Sequence, residues 1–491
     1  MRRAALWLAP VLGVAIVVLG RAGALGSLTP AAATVLGVAV LMAIWWMTEA
    51  APIVATSLLP AVLFPCLDVG TARTVSASYA DPLILLMMGG FFLSVAIERS
   101  ELHRRIALHV LRVVGTRPDR LVLGFLVATA FISMWISNTA TALMMLPIAL
   151  AVLRRLEERA PDDPRLRPVA IALLLAVAYA SSIGGLGTPI GTGPNLIFLG
   201  QYRAAFPDAE PITFLGWMKR AVPIVVVLLG AAWLILTRLA NRVDPTFRPD
   251  DRGLLDEDLR ALGPMTSYER RMSLAFVVIA GLWIFRQPME LGAVSIGGWA
   301  PWLGMGARVD DSTVALAVVV LLFLLPSGLP PTPDGESPSL LEWRHAIKIP
   351  WDILILFGGG LALADAFERS GLSLWIGNQI GGLGTLPTWL LVGTVCLAAT
   401  LLTEIASNIA LTTILMPLLA AVSKRYDIPP LTLMLPAAMG ASCGFMMPVG
   451  TPPNAIVFAS GHLRMRDMVR AGAMLDLVGV VVLTVGLLVL G

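Results

Sequence analysis

Apolar residues fill this chain in runs of membrane-spanning length. Runs of roughly 20 residues, enough to cross a hydrocarbon core as a helix, fall at 4–21, 31–48, 52–68, 82–98, 168–200, 221–240, 270–286, 312–328, 350–368, 427–460 and 471–490. Two further apolar segments, 121–153 and 387–423, are too long for one helix, and each begins and ends beside loops of similar charge. We therefore predict an all-α integral membrane protein with about eleven transmembrane helices and two re-entrant hairpins.

The chain contains an internal repeat. The block at 85–152 recurs 270 residues later, so that Ser137-Asn138-Thr139 corresponds to Ser407-Asn408-Ile409. A second pair, at an offset of 259, matches Gly191-Thr192-Gly193-Pro194-Asn195 with Gly450-Thr451-Pro452-Pro453-Asn454. An odd number of predicted crossings separates the copies, which inverts the second relative to the first. Inverted repeats with polar interruptions of apolar helices are typical of secondary transporters.

Basic residues predict the orientation. Six arginines lie between 99 and 120 and five between 153 and 168, whereas the equivalent loops of the second copy hold only Arg369, Lys424 and Arg425. The positive-inside rule then places the first hairpin and the N-terminus on the cytoplasmic side of an inner (plasma) membrane. The second hairpin enters from the outer side, where the C-terminus also lies. The two hairpin tips should meet near the midplane.

Composition supports this class and excludes others. With 57% hydrophobic and 14% charged residues, the chain has too little polar surface for a soluble protein. A net charge of +3 indicates no nucleic-acid partner. The three cysteines have no paired spacing, and the four histidines form no ligand cluster, so metal catalysis is not expected. The first apolar run is interpreted as a transmembrane span rather than a signal peptide.

The hairpin tips carry the candidate chemistry. Ser133 and Ser137 are one helical turn apart, as are Thr403 and Ser407. Their hydroxyls, the Asn138 and Asn408 amide oxygens and carbonyls at unwound Gly191 and Gly450 are uncharged oxygen ligands suited to a small monovalent cation, for which we predict sodium. Simple helix capping is the alternative for any one such tripeptide. Its recurrence at inverted positions favours a ligand site.

An anion could bind beside those cations. No lysine or arginine falls within either hairpin core or either Gly-Thr segment. The Asn138 and Asn408 amides, the Thr139 and Thr451 hydroxyls and the N-termini of half-helices could hold negative charge instead. Bound cations would balance that charge, which predicts obligatory coupling.

Other function classes depend on single residues. An intramembrane hydrolase could use Ser137 or Ser442 as nucleophile, but no histidine base lies in an apolar span. A proton-driven drug or arsenite exporter would need a core carboxylate, and Glu404 is the candidate. For Glu404, a functional role and a structural role in bonding the hairpin backbone both remain open.

These motifs together resemble the divalent anion:sodium symporter family, the sodium-coupled di- and tricarboxylate transporters. The resemblance covers nearly the whole chain and rests on Trp46-Met47-Thr48-Glu49-Ala50 with Pro52, Ser137-Asn138-Thr139, Glu404 with Ser407-Asn408, and Gly450-Thr451-Pro452-Pro453-Asn454. It implies a homodimeric elevator, with scaffold parts at 1–100 and 241–370 and transport parts at 101–240 and 371–491.

The resemblance also implies ligand sets. One sodium site would use Ser133, Ser137, Asn138 and Gly191; the other would use Thr403, Ala406, Asn408 and Gly450. Substrate carboxylates would meet Asn138, Thr139, Thr192, Asn408, Thr451 and Pro452, with position 409 in one substrate arm.

Two positions depart from the family pattern. Ile409 stands where many members have threonine, and Gly193 replaces the first proline of the first Gly-Thr-Pro-Pro-Asn. We expect sodium-coupled uptake of a divalent anion, most simply a C4-dicarboxylate such as succinate. The alternative is exchange of a dicarboxylate or another divalent anion, such as citrate or sulfate, without net sodium coupling.

Overall fold

The computed structural model describes residues 2–247, 256–291, 294–306, 308–330, 337–379 and 386–490. Within these ranges helices connected by loops dominate. The described residues also include one antiparallel pair of short strands, β1 (Met289–Leu291) and β2 (Val294–Ile296), and an isolated β-bridge between Pro326 and Ser339. The predicted all-α membrane fold is confirmed. Eight helices of the described part are long and apolar enough to cross a membrane, and shorter apolar helices lie between them.

The first half of the chain forms twelve α-helices. They are α1 (Arg2–Arg21), α2 (Pro30–Thr48), α3 (Ile53–Ser57), α4 (Leu59–Cys66), α5 (Ala72–Ala77), α6 (Pro82–Arg99), α7 (Leu102–Val114), α8 (Pro118–Ser133), α9 (Asn138–Arg159), α10 (Leu166–Gly185), α11 (Gly193–Ala205) and α12 (Phe214–Leu234). A short 3-10 helix precedes α6, and a π-helical turn, Ile235–Leu239, extends α12.

The described part of the second half adds another twelve. They are α13 (Asp256–Ala261), α14 (Ser267–Ile284), α15 (Trp299–Trp302), α16 (Asp311–Leu324), α17 (Trp343–Ala346), α18 (Trp351–Ser370), α19 (Leu372–Gln379), α20 (Thr388–Thr403), α21 (Asn408–Tyr426), α22 (Pro430–Gly440), α23 (Pro452–Phe458) and α24 (Met465–Leu490).

Three predicted crossings are interrupted helices. The run at 168–200 divides into α10 and α11, and the run at 427–460 divides into α22 and α23, so the chain is unwound at Gly191 and Gly450 as predicted. The run at 52–68, predicted as one span, instead divides at Leu58 into α3 and α4. Pro60 lies at the start of α4, where its missing N–H removes a helical hydrogen bond.

The arginine-rich stretch at 99–120 contains a helix that the hydropathy pattern did not predict. Helix α7 buries Leu102, Leu108 and Leu111 on one face, while Arg104 and Arg112 are not buried. A short helix with one apolar and one basic face suits the membrane surface. Its apolar positions are too few to register as a crossing, so the hydropathy pattern predicts only a basic loop here.

Helix α10 lies at the centre of the packed helices and has an apolar, buried surface nearly all round. It packs against α8, α9, α12 and α23. Small residues allow the closest of these contacts. A Cβ atom added to Gly184 would lie 2.3 Å from the Ala130 carbonyl oxygen of α8.

Gly184→Ala is therefore expected to destabilise the protein by about 1–3 kcal/mol, because the two helix backbones must separate. The measurement is the thermal unfolding midpoint of the purified protein in detergent. Gly230→Ala in α12 is the matched control, since no atom lies within 4 Å of the added Cβ. Equal midpoints for the two variants would contradict the predicted close contact.

Candidate functional site

Two hairpin tips and two helix breaks surround one cavity of about 430 Å³. The first tip joins α8 to α9 at 134–137, and the second joins α20 to α21 at 404–407. The breaks are the unwound segments 186–192 and 441–451. Helix α11 packs against α21 and α23 against α9, so each break reaches across to the opposite hairpin.

The structure brings the predicted site residues together. The cavity is lined by Ser137, Asn138, Thr139, Gly191, Thr192, Ala406, Ser407, Asn408, Ile409, Gly450, Thr451 and Pro452. The other two, Ser133 and Thr403, are fully buried and hydrogen-bonded to the lining asparagines. The two copies therefore contribute to a common site.

Oxygen atoms converge on the Asn138 side chain. Ser133 Oγ lies 2.9 Å from Asn138 Oδ1 and donates to the Ser181 carbonyl at 2.6 Å. With the amide turned so that its nitrogen donates, Asn138 reaches Ser133 Oγ at 2.9 Å, the Ser181 carbonyl at 2.9 Å and the Gly191 carbonyl at 3.2 Å. These oxygens suit a hard cation, which would draw the amide oxygen of Asn138 inward.

The second tip repeats this geometry. Thr403 Oγ1 lies 2.5 Å from Asn408 Oδ1 and 2.8 Å from the Ala441 carbonyl. In both copies a buried hydroxyl thus joins the asparagine side chain to a carbonyl at the end of the broken helix. Two such oxygen clusters, one for each copy, flank the cavity.

Two asparagines stabilise the unwound segments by donating hydrogen bonds to their backbone carbonyls. Asn195 Nδ2 donates to the carbonyls of Gly185 and Thr188 at 2.9 and 2.8 Å. Asn454 Nδ2 donates to the equivalent carbonyls, those of Gly444 and Met447, at 3.1 and 3.0 Å. Both side chains are fully buried. Neither asparagine is among the site residues that the sequence predicts, although the Pro-Asn repeated in the two Gly-Thr segments is a signal for them.

Glu404 bonds the backbone of the second break. Its two carboxylate oxygens accept the N–H groups of Met446 and Met447, each at 2.8 Å. The first copy has Met134 at this position, and there Thr188 Oγ1 donates to the Met134 carbonyl instead. Each tip is therefore hydrogen-bonded to its break. In the first copy the side chain comes from the break (Thr188), and in the second copy it comes from the tip (Glu404). Of the two roles left open for Glu404, these contacts support the structural one.

Glu404→Gln is expected to slow transport by up to about tenfold, because one of two backbone N–H groups loses its acceptor. Sodium dependence should persist, whereas a proton-driven carrier would lose transport altogether. Uptake into vesicles at fixed pH, with and without sodium, measures both properties. The exposed Glu98→Gln is the control for expression and charge.

The cavity lining contributed by α2, α6 and α18 is mostly apolar. It includes Trp46, Met47, Met87, Phe91 and Ile353. Glu49, the C-cap residue of α2, also lines the cavity and pairs with Arg2. No lysine or arginine lines the cavity in the part of the chain that the structure describes.

The two tips differ in exposure. Trp135 in the first tip is 7% exposed and packs edge-on against Phe276 of α14, with ring centroids 4.9 Å apart. Its counterpart Ile405 is 76% exposed. The first tip is therefore packed against neighbouring helices, while few protein atoms cover Ile405 at the second tip, which also lines the cavity.

The serines considered as nucleophiles have no catalytic setting. Ser137 Oγ accepts the Ala140 N–H at 3.3 Å as an ordinary helix N-cap. Ser442 is fully buried. Neither forms a hydrogen bond with a histidine among the described residues, so a base is lacking.

Comparison with known proteins assigns the family. The family described as "Sodium:sulfate symporter transmembrane region" matches residues 4–490. The chain is 40% identical to the sodium-dependent dicarboxylate transporter SdcS of Staphylococcus saprophyticus over 452 residues, which cover 91% of this chain and 84% of that protein. It is 39% identical to SdcS of Staphylococcus aureus with the same coverage.

A solved structure shares the fold. The YdaH transporter of Alcanivorax borkumensis, whose crystal structure was described as having an unusual topology, aligns with a TM-score of 0.55 at 16% identity. The alignment covers 84% of this chain and 86% of that one. With the family match over nearly the whole length, the chain belongs to the sodium:sulfate symporter family, as the sequence motifs predicted, and is a multi-pass membrane transporter rather than an enzyme.

Proposed function

We propose that this protein couples sodium ions to the uptake of a small dicarboxylate, with succinate as the expected cargo. The observation that carries the proposal is the cavity between the tips, which is rich in amides, hydroxyls and carbonyls but has no basic side chain among its lining residues. A dianion there needs positive charge from elsewhere. The two buried oxygen clusters beside the cavity are suited to supply it as bound sodium.

The names of the relatives support this choice of ion and cargo. Both SdcS proteins are called sodium-dependent dicarboxylate transporters. One sodium would be held by Ser133, Ser137, Asn138 and Gly191, and the other by Thr403, Ala406, Asn408 and Gly450. The dicarboxylate would contact Asn138, Thr139, Thr192, Asn408, Ile409, Thr451 and Pro452.

The cavity also suits alternating access. Inverted repeats that hold cargo where they meet can expose it first to one side and then to the other. In the proposed elevator, residues 101–240 and 371–491 move against a scaffold formed by 1–100 and 241–370. The protein would work as a homodimer in the inner membrane, with its N-terminus cytoplasmic and its C-terminus on the outer side.

Uptake of labelled succinate and the accompanying charge movement, both measured in proteoliposomes with and without a sodium gradient, test the proposal. A sodium gradient should drive accumulation of labelled succinate, and potassium should not replace sodium. Sodium-independent counterflow as the only activity would refute symport and support the rival, an exchanger. No response to any dicarboxylate would refute the proposed cargo class.

A further inference from the structure

The two substrate arms of the cavity are not equivalent. Position 139 of the first copy corresponds to 409 in the second, and position 193 corresponds to 452. One arm therefore pairs Thr139 with the α23 end that begins at Pro452, whereas the other pairs Ile409 with Gly193 at the start of α11. The two departures from the family pattern thus fall in a single arm.

Ile409 and Gly193 are in direct contact. A Cβ atom at position 193 would lie 2.9 Å from both Cδ1 and Cγ1 of Ile409, closer than side chains tolerate. Branching at Cβ restricts χ1 of Ile409 and so limits how far Cγ1 can move, whereas Cδ1 can still rotate about χ2. A side chain at 193, proline included, would therefore force the Ile409 side chain to shift from its position.

The same exchange alters the hydrogen-bond donors. Pro452 and Pro453 have no N–H, and the Asn454 N–H is directed to Thr451 Oγ1 at 3.4 Å. Gly193 retains its N–H at the half-buried N-terminus of α11 beside the cavity, and among the described residues no protein acceptor pairs with it. This arm has lost a side-chain hydroxyl at 409 and gained a backbone N–H at 193.

The surroundings of that N–H favour a carboxylate. It lies at the positive end of a 13-residue helix and belongs to a residue that lines the cavity with Thr192 and Asn408. The Thr192 hydroxyl does not cap its helix, unlike that of Thr451. The arm can therefore still hold a carboxylate, but Ile409 makes the wall beside the carboxylate apolar.

We propose that Gly193 and Ile409 together form a specificity element that favours four-carbon dicarboxylates with at least one unsubstituted methylene carbon. The inference rests on the proposed function and narrows its cargo. The Gly193 N–H and the Asn408 amide bind one carboxylate, and Ile409 packs against the methylene beside it. The hydroxyl-bearing arm at Thr139 takes the other carboxylate.

The geometry predicts a graded response to hydroxylated cargo. A dicarboxylate with one hydroxyl, such as malate, can bind with that hydroxyl at the Thr139 arm. A dicarboxylate with hydroxyls on both central carbons, such as tartrate, must press one of them against Ile409, where it loses water without gaining a partner. An apolar wall rejects an added hydroxyl by up to about 100-fold.

Competition against labelled succinate uptake in sodium provides the first test. Malate should inhibit at concentrations within a few-fold of unlabelled succinate, and tartrate should require about 10–100 times more. Ile409→Thr should narrow the gap between tartrate and succinate by about tenfold, because a hydroxyl returns to the wall. An unchanged tartrate-to-succinate ratio in Ile409→Thr would overturn the inference.

A double-mutant cycle tests the coupling of the two residues. Gly193→Pro alone should abolish uptake, since it collides with Ile409 and removes the N–H. Gly193→Pro combined with Ile409→Thr rebuilds the Thr-and-Pro pairing of the other arm and should recover uptake to a large fraction of normal. If the single variant does not fold, recovery of folded protein in the double variant reports the same coupling. Additive losses would overturn the inference.

The outcomes separate the two proposals. Absence of sodium-driven succinate uptake in the unmutated protein would refute the proposed function and with it this inference. Normal succinate uptake that tartrate inhibits as well as succinate does would refute the specificity element alone.

Discussion

Asn138→Ala and Asn408→Ala are each expected to reduce sodium-driven succinate uptake to below about one hundredth of normal. Each asparagine faces the cavity and also touches a buried hydroxyl, Ser133 for one and Thr403 for the other. In the proposed site, alanine would therefore remove a cation ligand and a substrate donor in one step. Because each asparagine belongs to both a proposed cation site and the proposed substrate site, its loss should reduce uptake more than the loss of a single hydrogen bond.

The comparison requires variants that remain folded. Insertion and oligomeric state should be checked by size-exclusion chromatography, and uptake measured in proteoliposomes at equal protein. Asn378→Ala is the matched control, because that asparagine is exposed in α19, away from the cavity. Uptake near the normal rate in either tip variant would count against the assigned site.

Removing the buried hydroxyls of Ser133 and Thr403 should weaken the binding of sodium more than the binding of the dicarboxylate. For Ser133→Ala and Thr403→Val we expect the sodium concentration for half-maximal uptake to rise by about tenfold or more, since each change deletes an oxygen from one cluster. The apparent affinity for succinate at saturating sodium should change much less, because neither hydroxyl lines the cavity.

Buried hydroxyls one turn away serve as controls. Thr400, on the same helix as Thr403, bonds the Gly440 carbonyl at 3.2 Å, and Thr129 precedes Ser133 by one turn in α8. Thr129→Val and Thr400→Val should leave the sodium requirement close to normal. Equal sodium shifts in the control and tip variants would show that the effect is general destabilisation rather than loss of a ligand.

Much of the fold could be predicted because its signals are local and repeated. Apolar runs of fixed length give the crossings, and the recurrence of Ser137-Asn138 as Ser407-Asn408 identifies the tips. An odd number of predicted crossings between the copies indicates that the second copy is inverted relative to the first. These inferences need only chain order and the hydrocarbon thickness, so they hold without knowledge of packing.

The remaining features depend on contacts between distant segments. The sequence identifies Ile409 and Gly193 as departures, but only the structure brings their atoms together. In the same way, the bonds of Glu404 to Met446 and Met447 join residues more than 40 positions apart. Such pairings follow from tertiary packing, which hydropathy does not encode.

The most direct test of the central claim is the thermal unfolding shift that succinate produces in the purified protein, measured in sodium and in potassium. If bound cations complete the anion site, succinate should raise the unfolding midpoint clearly in sodium, in proportion to the logarithm of its concentration, and hardly at all in potassium. An equal rise in both salts would contradict a site that sodium completes.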